Sequence, residues 1–148
     1  MKFKVNKRIK LVYLCGSIDG VSKEVSQNWR MEAYNYLSSV GVISAVPGLE
    51  TKKLSSEQIV DLDATMIHYC DAFLVNFNFL NQKSDKRLGT GSLSEIGMGF
   101  AWGKVIIGFI DGGVFPEHCK FLKGECDYLY PSMGEALKMI KGINDANV

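Results

Sequence analysis

Two carboxylates carry the chemistry that this sequence suggests. Glu95 stands inside Gly91-Ser92-Leu93-Ser94-Glu95-Ile96-Gly97, a small-residue turn that leads through Gly103-Lys104 into the strand-like run Val105 to Ile110. If Ser92 caps a helix, Glu95 falls at its third position, where it can close a capping box and where the helix dipole favours its ionised form. An ionised carboxylate so placed is a nucleophile; the plainer alternative is a glutamate that only caps its own helix. Asp63 is the second. On a helix from Ser56 its neighbours at three and four residues are Ile59, Val60, Met66 and Ile67, which puts it on the apolar face, away from Glu57 and Asp61. A buried carboxylate needs a partner: either backbone amides or Thr65 satisfy it, or it points into a cavity and binds a polar ligand.

The elements that must position these residues alternate. Ile9 and Leu11 to Cys15 form a short buried strand that stops at Gly16-Ser17. Ser22 to Ser39 follows as a helix with Trp29, Ala33, Tyr36 and Leu37 on one face, ended by Gly41. Val42 to Val46 is a second strand, stopped by Pro47-Gly48. Ser55 and Gln58 match a capping box for a helix from Ser56 to Tyr69, with Asp71 as a turn residue before a third strand, Ala72 to Val75. A polar loop, Asn76 to Thr90, precedes the Glu95 helix and the fourth strand. Beyond a loop with Gly112, Gly113 and Pro116, Tyr128 to Tyr130 reads as a short fifth strand and Ser132 to Ile140 as a closing helix.

Such alternation predicts a single three-layer α/β/α domain over residues 1–148, built on a mainly parallel, Rossmann- or flavodoxin-like sheet of about five strands. Ligands of such folds gather beyond the carboxyl ends of the strands. Tyr13, Gly16 and Ser17 after strand one, Asn76 and Asn78 after strand three, and Gly91, Ser92 and Glu95 would converge there. Gly16-Ser17 lacks the spaced glycines of a dinucleotide fingerprint, and Tyr13 could equally be core.

The 148 residues include 47% hydrophobic and 22% charged residues, enough for one core and little more. A net charge of +1 gives no electrostatic reason to expect a nucleic-acid or membrane partner. A small molecule is the expected ligand. No secretory signal or membrane-spanning run is read, and Cys15, Cys70, Cys119 and Cys126 form no CxxC pair, so the protein is expected to be cytoplasmic with reduced thiols. The spacing of His118, Cys119 and Cys126 matches no standard zinc pattern, and neither metal nor cofactor is expected.

Taken together, three segments resemble the nucleoside 2-deoxyribosyltransferase family and its relatives, the deoxynucleoside 5'-monophosphate N-glycosidases, over Ile9 to Ile110. They are Val12-Tyr13-Leu14-Cys15-Gly16-Ser17-Ile18, Asp63 with Met66-Ile67 and Cys70-Asp71-Ala72, and Gly91-Ser92 before Glu95-Ile96-Gly97 with Gly103-Lys104. The resemblance implies Glu95 as the nucleophile on the anomeric carbon, Tyr13 holding it, Asp63 at the nucleoside and helping to protonate the leaving base, and Gly16 and Ser17 at the sugar. It also implies a homo-oligomer. Asp19 stands where monophosphate-cleaving relatives tend to carry a basic residue, and the stretch before Gly91 carries Asp85 and Arg87 rather than an acid beside the glycine.

Breaking an N-glycosidic bond develops oxocarbenium character that a carboxylate can capture as a glycosyl-enzyme, released by a second base or by water. A helix-start Glu95 should stay charged and a buried Asp63 should hold a proton. The leading expectation is transfer on 2'-deoxynucleosides; a nucleotide N-glycosidase and a non-catalytic nucleotide-binding module are the alternatives. Phe77, Phe79 and Trp29 are either stacking partners or core, and Met98, Phe100 and Trp102 either interface or core, with core favoured for both sets.

Overall fold

A computed structural model describes residues 6–18, 20–48, 53–81 and 89–148. Five strands, β1 (Leu11–Cys15), β2 (Ile43–Ala45), β3 (Ala72–Asn76), β4 (Val105–Phe109) and β5 (Tyr128–Tyr130), form one sheet in the order β2-β1-β3-β4-β5. All four pairings are parallel. Five α-helices connect and close it: α1 (Lys23–Ser39), α2 (Ser56–Tyr69), α3 (Thr90–Ala101), α4 (Lys120–Glu125) and α5 (Met133–Ala146).

Local chemistry explains most boundaries. Ser22 caps α1, its Oγ accepting from the Val25 amide at 3.1 Å, and Gly41 at φ 74° turns the chain toward β2. At α2 the Ser55–Gln58 capping box is complete in both directions. Asp71 is a turn residue that knits two strands together: its carboxylate accepts from the Lys10 and Leu11 amides at 2.8 and 3.1 Å and from Lys7 Nζ at 2.9 Å. Burial splits by strand parity. Val12, Leu14, Ala72, Leu74, Ile107 and Phe109 meet α1 and α5 on one face, while Tyr13, Cys15, Phe73, Val75 and Ile106 meet α2, α3 and α4 on the other. The sheet is thus covered on both faces, and the order 2-1-3-4-5 places a topological switch point between β1 and β3.

Several elements differ from the sequence reading. Phe77–Asn81, expected to begin a polar loop, is a 3-10 segment whose Phe77 and Phe79 are buried core. The glycine-rich loop after β4 contains a further 3-10 turn, Glu117–Cys119, and α4, which six residues ending Gly124-Glu125 are too short to announce by periodicity. The closing helix runs on to Ala146, because Ile143 and Asn144 are also buried, Asn144 exchanging hydrogen bonds with the Ile9 backbone. Asp19, Asp85 and Arg87 lie outside the described residues.

Candidate active site

The cleft sits beyond the carboxyl ends of β1 and β2, between α2 and the amino end of α3. Gly16, Ser17 and Ile18 after β1, Gly48 after β2, Ile59 and Asp63 on α2, and Gly89 to Ser92 with Glu95 on α3 line a hollow of about 170 Å³. Two close approaches hold it in shape. A Cβ at Gly16 would stand 2.8 Å from the Trp29 ring, and one at Gly99 would stand 2.7 Å from the Phe73 ring, so α1 and α3 press directly on the sheet beside the cleft.

Helix α3 starts earlier than the sequence suggested. Gly89, not Ser92, is its N-cap, and no side chain caps it. Ser92 is a buried residue of the first turn and Glu95 is in the second, so no capping box forms. Glu95 instead lies on the inward face, three residues after Ser92 and four before Gly99, facing β1. Cys15 Sγ donates to its Oε2 at 3.4 Å. The Tyr13 hydroxyl lies behind it, fully buried and without a hydrogen bond of ordinary geometry, yet close enough that the Glu95 and Asp63 charges both raise its pKa after burial has done so.

This setting overturns the expected division of protons. Burial first, and the Asp63 charge second, push Glu95 up to about 7; the hydrogen bond from Cys15, the nearby Tyr13 hydroxyl and the charge of Arg30 act the other way. Burial also raises Asp63, but a hydrogen-bonding interaction with Glu95 and the Arg30 charge restrain it. Glu95, expected to stay charged at a helix start, is instead pushed toward its protonated form, because burial rather than the helix terminus governs it. The two carboxyls form one coupled pair whose protons belong to both. Thr65, a proposed partner of Asp63, donates instead to the Asp61 carbonyl.

Arg30 was not singled out by the sequence reading. It is fully buried, with its guanidinium bonded to the carbonyls of Leu14, Gly16 and Ser26. Its helical phase was the available signal: Ser26, Arg30, Ala33 and Leu37 form the buried stripe of α1. Of the other anticipated residues, Gly16, Ser17, Gly91 and Ser92 do border the cleft. Asn76 does not; it accepts from the Asn78 amide at 3.0 Å and borders a smaller neighbouring hollow shared with Ser17 and Trp29. Phe100 and Trp102, read as core, are 56% and 46% exposed because they follow the outward face and end of α3.

A larger hollow, about 620 Å³, lies at the amino ends of the strands. Several of its polar groups are already engaged: Lys7 with Asp71, Lys104 Nζ with the His68 and Cys70 carbonyls, and Asp127 with the Ile106 amide. The Glu95 cleft is smaller but holds the coupled carboxyls and the buried Ser17 hydroxyl, which has no hydrogen-bond partner among the described residues. Among those residues no three His, Cys, Asp or Glu side chains converge as a metal ion would require.

No family model and no curated protein matches the sequence. Solved structures do. A CMP N-glycosidase from Clostridium botulinum, BcmB, is 21% identical, with 88% of this chain and 97% of that one covered at a TM-score of 0.57. A 2-deoxyribosyltransferase from Leishmania mexicana is 14% identical over 90% of this chain and 97% of its own, TM-score 0.67. A 2-deoxyribosyltransferase from Bacillus psychrosaccharolyticus is 17% identical over 93% and 90%, TM-score 0.60. The chain has the fold of these structures. The family resemblance drawn from the Tyr13, Asp63 and Glu95 segments is thus matched by structural neighbours that carry the family's own name.

Proposed function

We propose that the protein cleaves the N-glycosidic bond of 2'-deoxynucleosides and passes the sugar to a second base through a covalent glycosyl-enzyme on Glu95. The observation that carries this reading is the pairing of Glu95 with Asp63 across one cleft beyond the carboxyl end of β1, with Tyr13 and Cys15 packed behind the nucleophile. The reactive form of the pair holds one proton, on Asp63. An oxygen of ionised Glu95 bonds to the anomeric carbon as the glycosidic C–N bond breaks, and the bond's electron pair leaves on the base nitrogen. The leaving base takes up the Asp63 proton, directly or through its own tautomer. An acceptor base nitrogen then attacks the same carbon, the Glu95–sugar bond breaks, and a proton returns to the pair. Two displacements on opposite faces retain configuration.

Hydrolysis of nucleoside 5'-monophosphates is the second reading, favoured by one feature. The amino end of α3 has no side-chain cap, and a Cβ at Gly89 would stand 2.7 Å from Ser17 Oγ and 3.3 Å from Ser92 Oγ, so two hydroxyls meet at an uncapped helix start whose amides suit an anion.

A homo-oligomer is also proposed. On the outer side of α2 and α3, Tyr69 is 71% exposed and, with Trp102, packs edge-on against His68. Exposed aromatic clusters of this kind mark interaction surfaces. Sedimentation equilibrium tests the assembly: a monomer at all concentrations would remove it.

Function is tested by incubating the protein with deoxynucleosides, with and without an acceptor base, and with deoxynucleoside 5'-monophosphates, while separating bases by chromatography. Base exchange that requires the acceptor supports the transferase; base release from monophosphates without it supports the N-glycosidase. Binding without turnover in every mixture refutes both and leaves a nucleotide-binding module.

A further inference from the structure

A buried arginine ordinarily has a carboxylate of its own, because an uncompensated cation in the interior is costly. Arg30 does not. It is 0% exposed, and its guanidinium donates to three neutral carbonyls: Leu14 O from Nε at 3.1 Å, Gly16 O from Nη2 at 2.7 Å, and Ser26 O from Nη1. The guanidinium also lies 4.7 Å from the Trp29 ring centre, a weak additional stabilisation. Among the described residues no ion pair includes it.

Its position explains where the compensation comes from. Arg30 belongs to α1, on the face of the sheet opposite α2 and α3, and reaches across the carboxyl tip of β1 by binding the carbonyls on either side of Cys15. The acidic groups that act on it all belong to the cleft: Cys15 and Tyr13 from β1, Glu95 from α3 and Asp63 from α2. The same set, seen from Glu95, is Asp63, Cys15, Tyr13 and Arg30, so Arg30 is the one cation in the cluster.

We propose that Arg30 is a positioning residue for the carboxyl pair: a countercharge anchored to the main chain, which keeps one of Glu95 and Asp63 ionised inside the buried cleft and so able to attack. This rests on the reading of Glu95 as the nucleophile. Anchoring on carbonyls rather than on a carboxylate is what the role requires, since a direct ion pair would engage the attacking oxygen. The arginine fork also fixes the Gly16 carbonyl, and with it the turn that carries Ser17 into the cleft. Without the positive charge both carboxyls would hold their protons more readily, because burial raises both, the Asp63 charge raises Glu95 further, and the Arg30 charge opposes the rise at each.

The test follows the Glu95 carboxyl carbon by NMR titration of the ¹³C-glutamate-labelled chain, with Glu95→Gln assigning the resonance. Arg30→Gln is expected to raise the Glu95 midpoint by about one pH unit or more, the usual effect of removing a nearby opposite charge. Arg30→Lys keeps the charge but not the fork. It is expected to leave that midpoint near the wild-type value while lowering thermal stability, and to restore the pH profile of kcat/KM that Arg30→Gln displaces. A folded Arg30→Gln chain with an unmoved Glu95 midpoint overturns the proposal. If that variant does not fold, the wild-type chain decides: the Arg30 Nε resonance must move with the Glu95 titration, and a flat response overturns the role. Because titration needs no turnover, an inactive wild-type chain whose Arg30 tracks Glu95 would refute the nucleophile reading and leave the electrostatic coupling in place.

Discussion

Replacing Glu95 by Gln should make the protein more stable, and by an amount that depends on pH. Glu95 is raised from its ordinary 4.5 to about 7 in the folded chain. Between these values the folded state holds a proton that the unfolded state has released, so stability falls as pH rises. The stabilising advantage of the protonated form is complete below about pH 4.5 and gone above about pH 7. At about 1.36 kcal/mol per pH unit, this difference amounts to about 3 kcal/mol, a ceiling because Asp63 titrates with it. Glu95→Gln removes the dependence. Relative to wild type, the variant should gain about 3 kcal/mol between pH 4.5 and pH 8, or about 6–12 °C in melting temperature at 2–4 °C per kcal/mol for a domain of this size. Denaturant melts of both chains, followed by circular dichroism across that range, isolate the effect because every other group titrates in both. Parallel stability curves would show that Glu95 is not held in a desolvating cleft, and the proton assignment would collapse with it.

Other expectations follow from the same geometry. Because one proton and one charge must be divided between Glu95 and Asp63, kcat/KM should be bell-shaped, falling about tenfold per pH unit above about pH 7; Asp63→Asn should abolish the alkaline limb, and a limb that persists would place the acid elsewhere. Tyr13→Phe removes a buried hydroxyl that makes no ordinary hydrogen bond, so thermal melts should show stability unchanged or raised by about 1 kcal/mol, while turnover falls. Gly99→Ala drives a methyl group into the Phe73 ring, 2.7 Å away, and should cost about 1–3 kcal/mol in denaturant melts.

What was legible in the sequence was what nearest neighbours determine. Ser55 and Gln58 announced α2 because a capping box is a contact between residues three apart, and Gly41 announced the end of α1 because only the left-handed region turns the chain there. Alternating buried strands implied the parallel sheet, and the rule for open α/β sheets brought Gly16, Ser17 and Glu95 together but also named Asn76, which borders the neighbouring hollow, while Asp63 was placed inward by helical phase. What failed depended on distant partners. Ser92 looked like a helix cap, but it is a buried residue of the first turn, and the helix starts on a glycine whose lack of a side chain left no signal. Glu95 was expected to stay ionised from its place near a helix start, but its depth is set by β1 and α2 packed against it, not by its own helix. Arg30 was overlooked as one more cation on an amphipathic helix, although the helical-phase argument that placed Asp63 inward applies equally to it. Phe100 and Trp102 looked like core by type, yet their phase on α3 turns them outward.

The central claim is that Glu95 becomes covalently bonded to the sugar. Rapid acid quenching of the protein during turnover of a deoxynucleoside, followed by mass spectrometry of the intact chain and of its peptides, tests it most directly. A deoxyribosyl mass increment is predicted on the peptide that contains Glu95, absent from Glu95→Gln, which should also be inactive. Turnover by the Gln variant, or an adduct on a different residue, would contradict it.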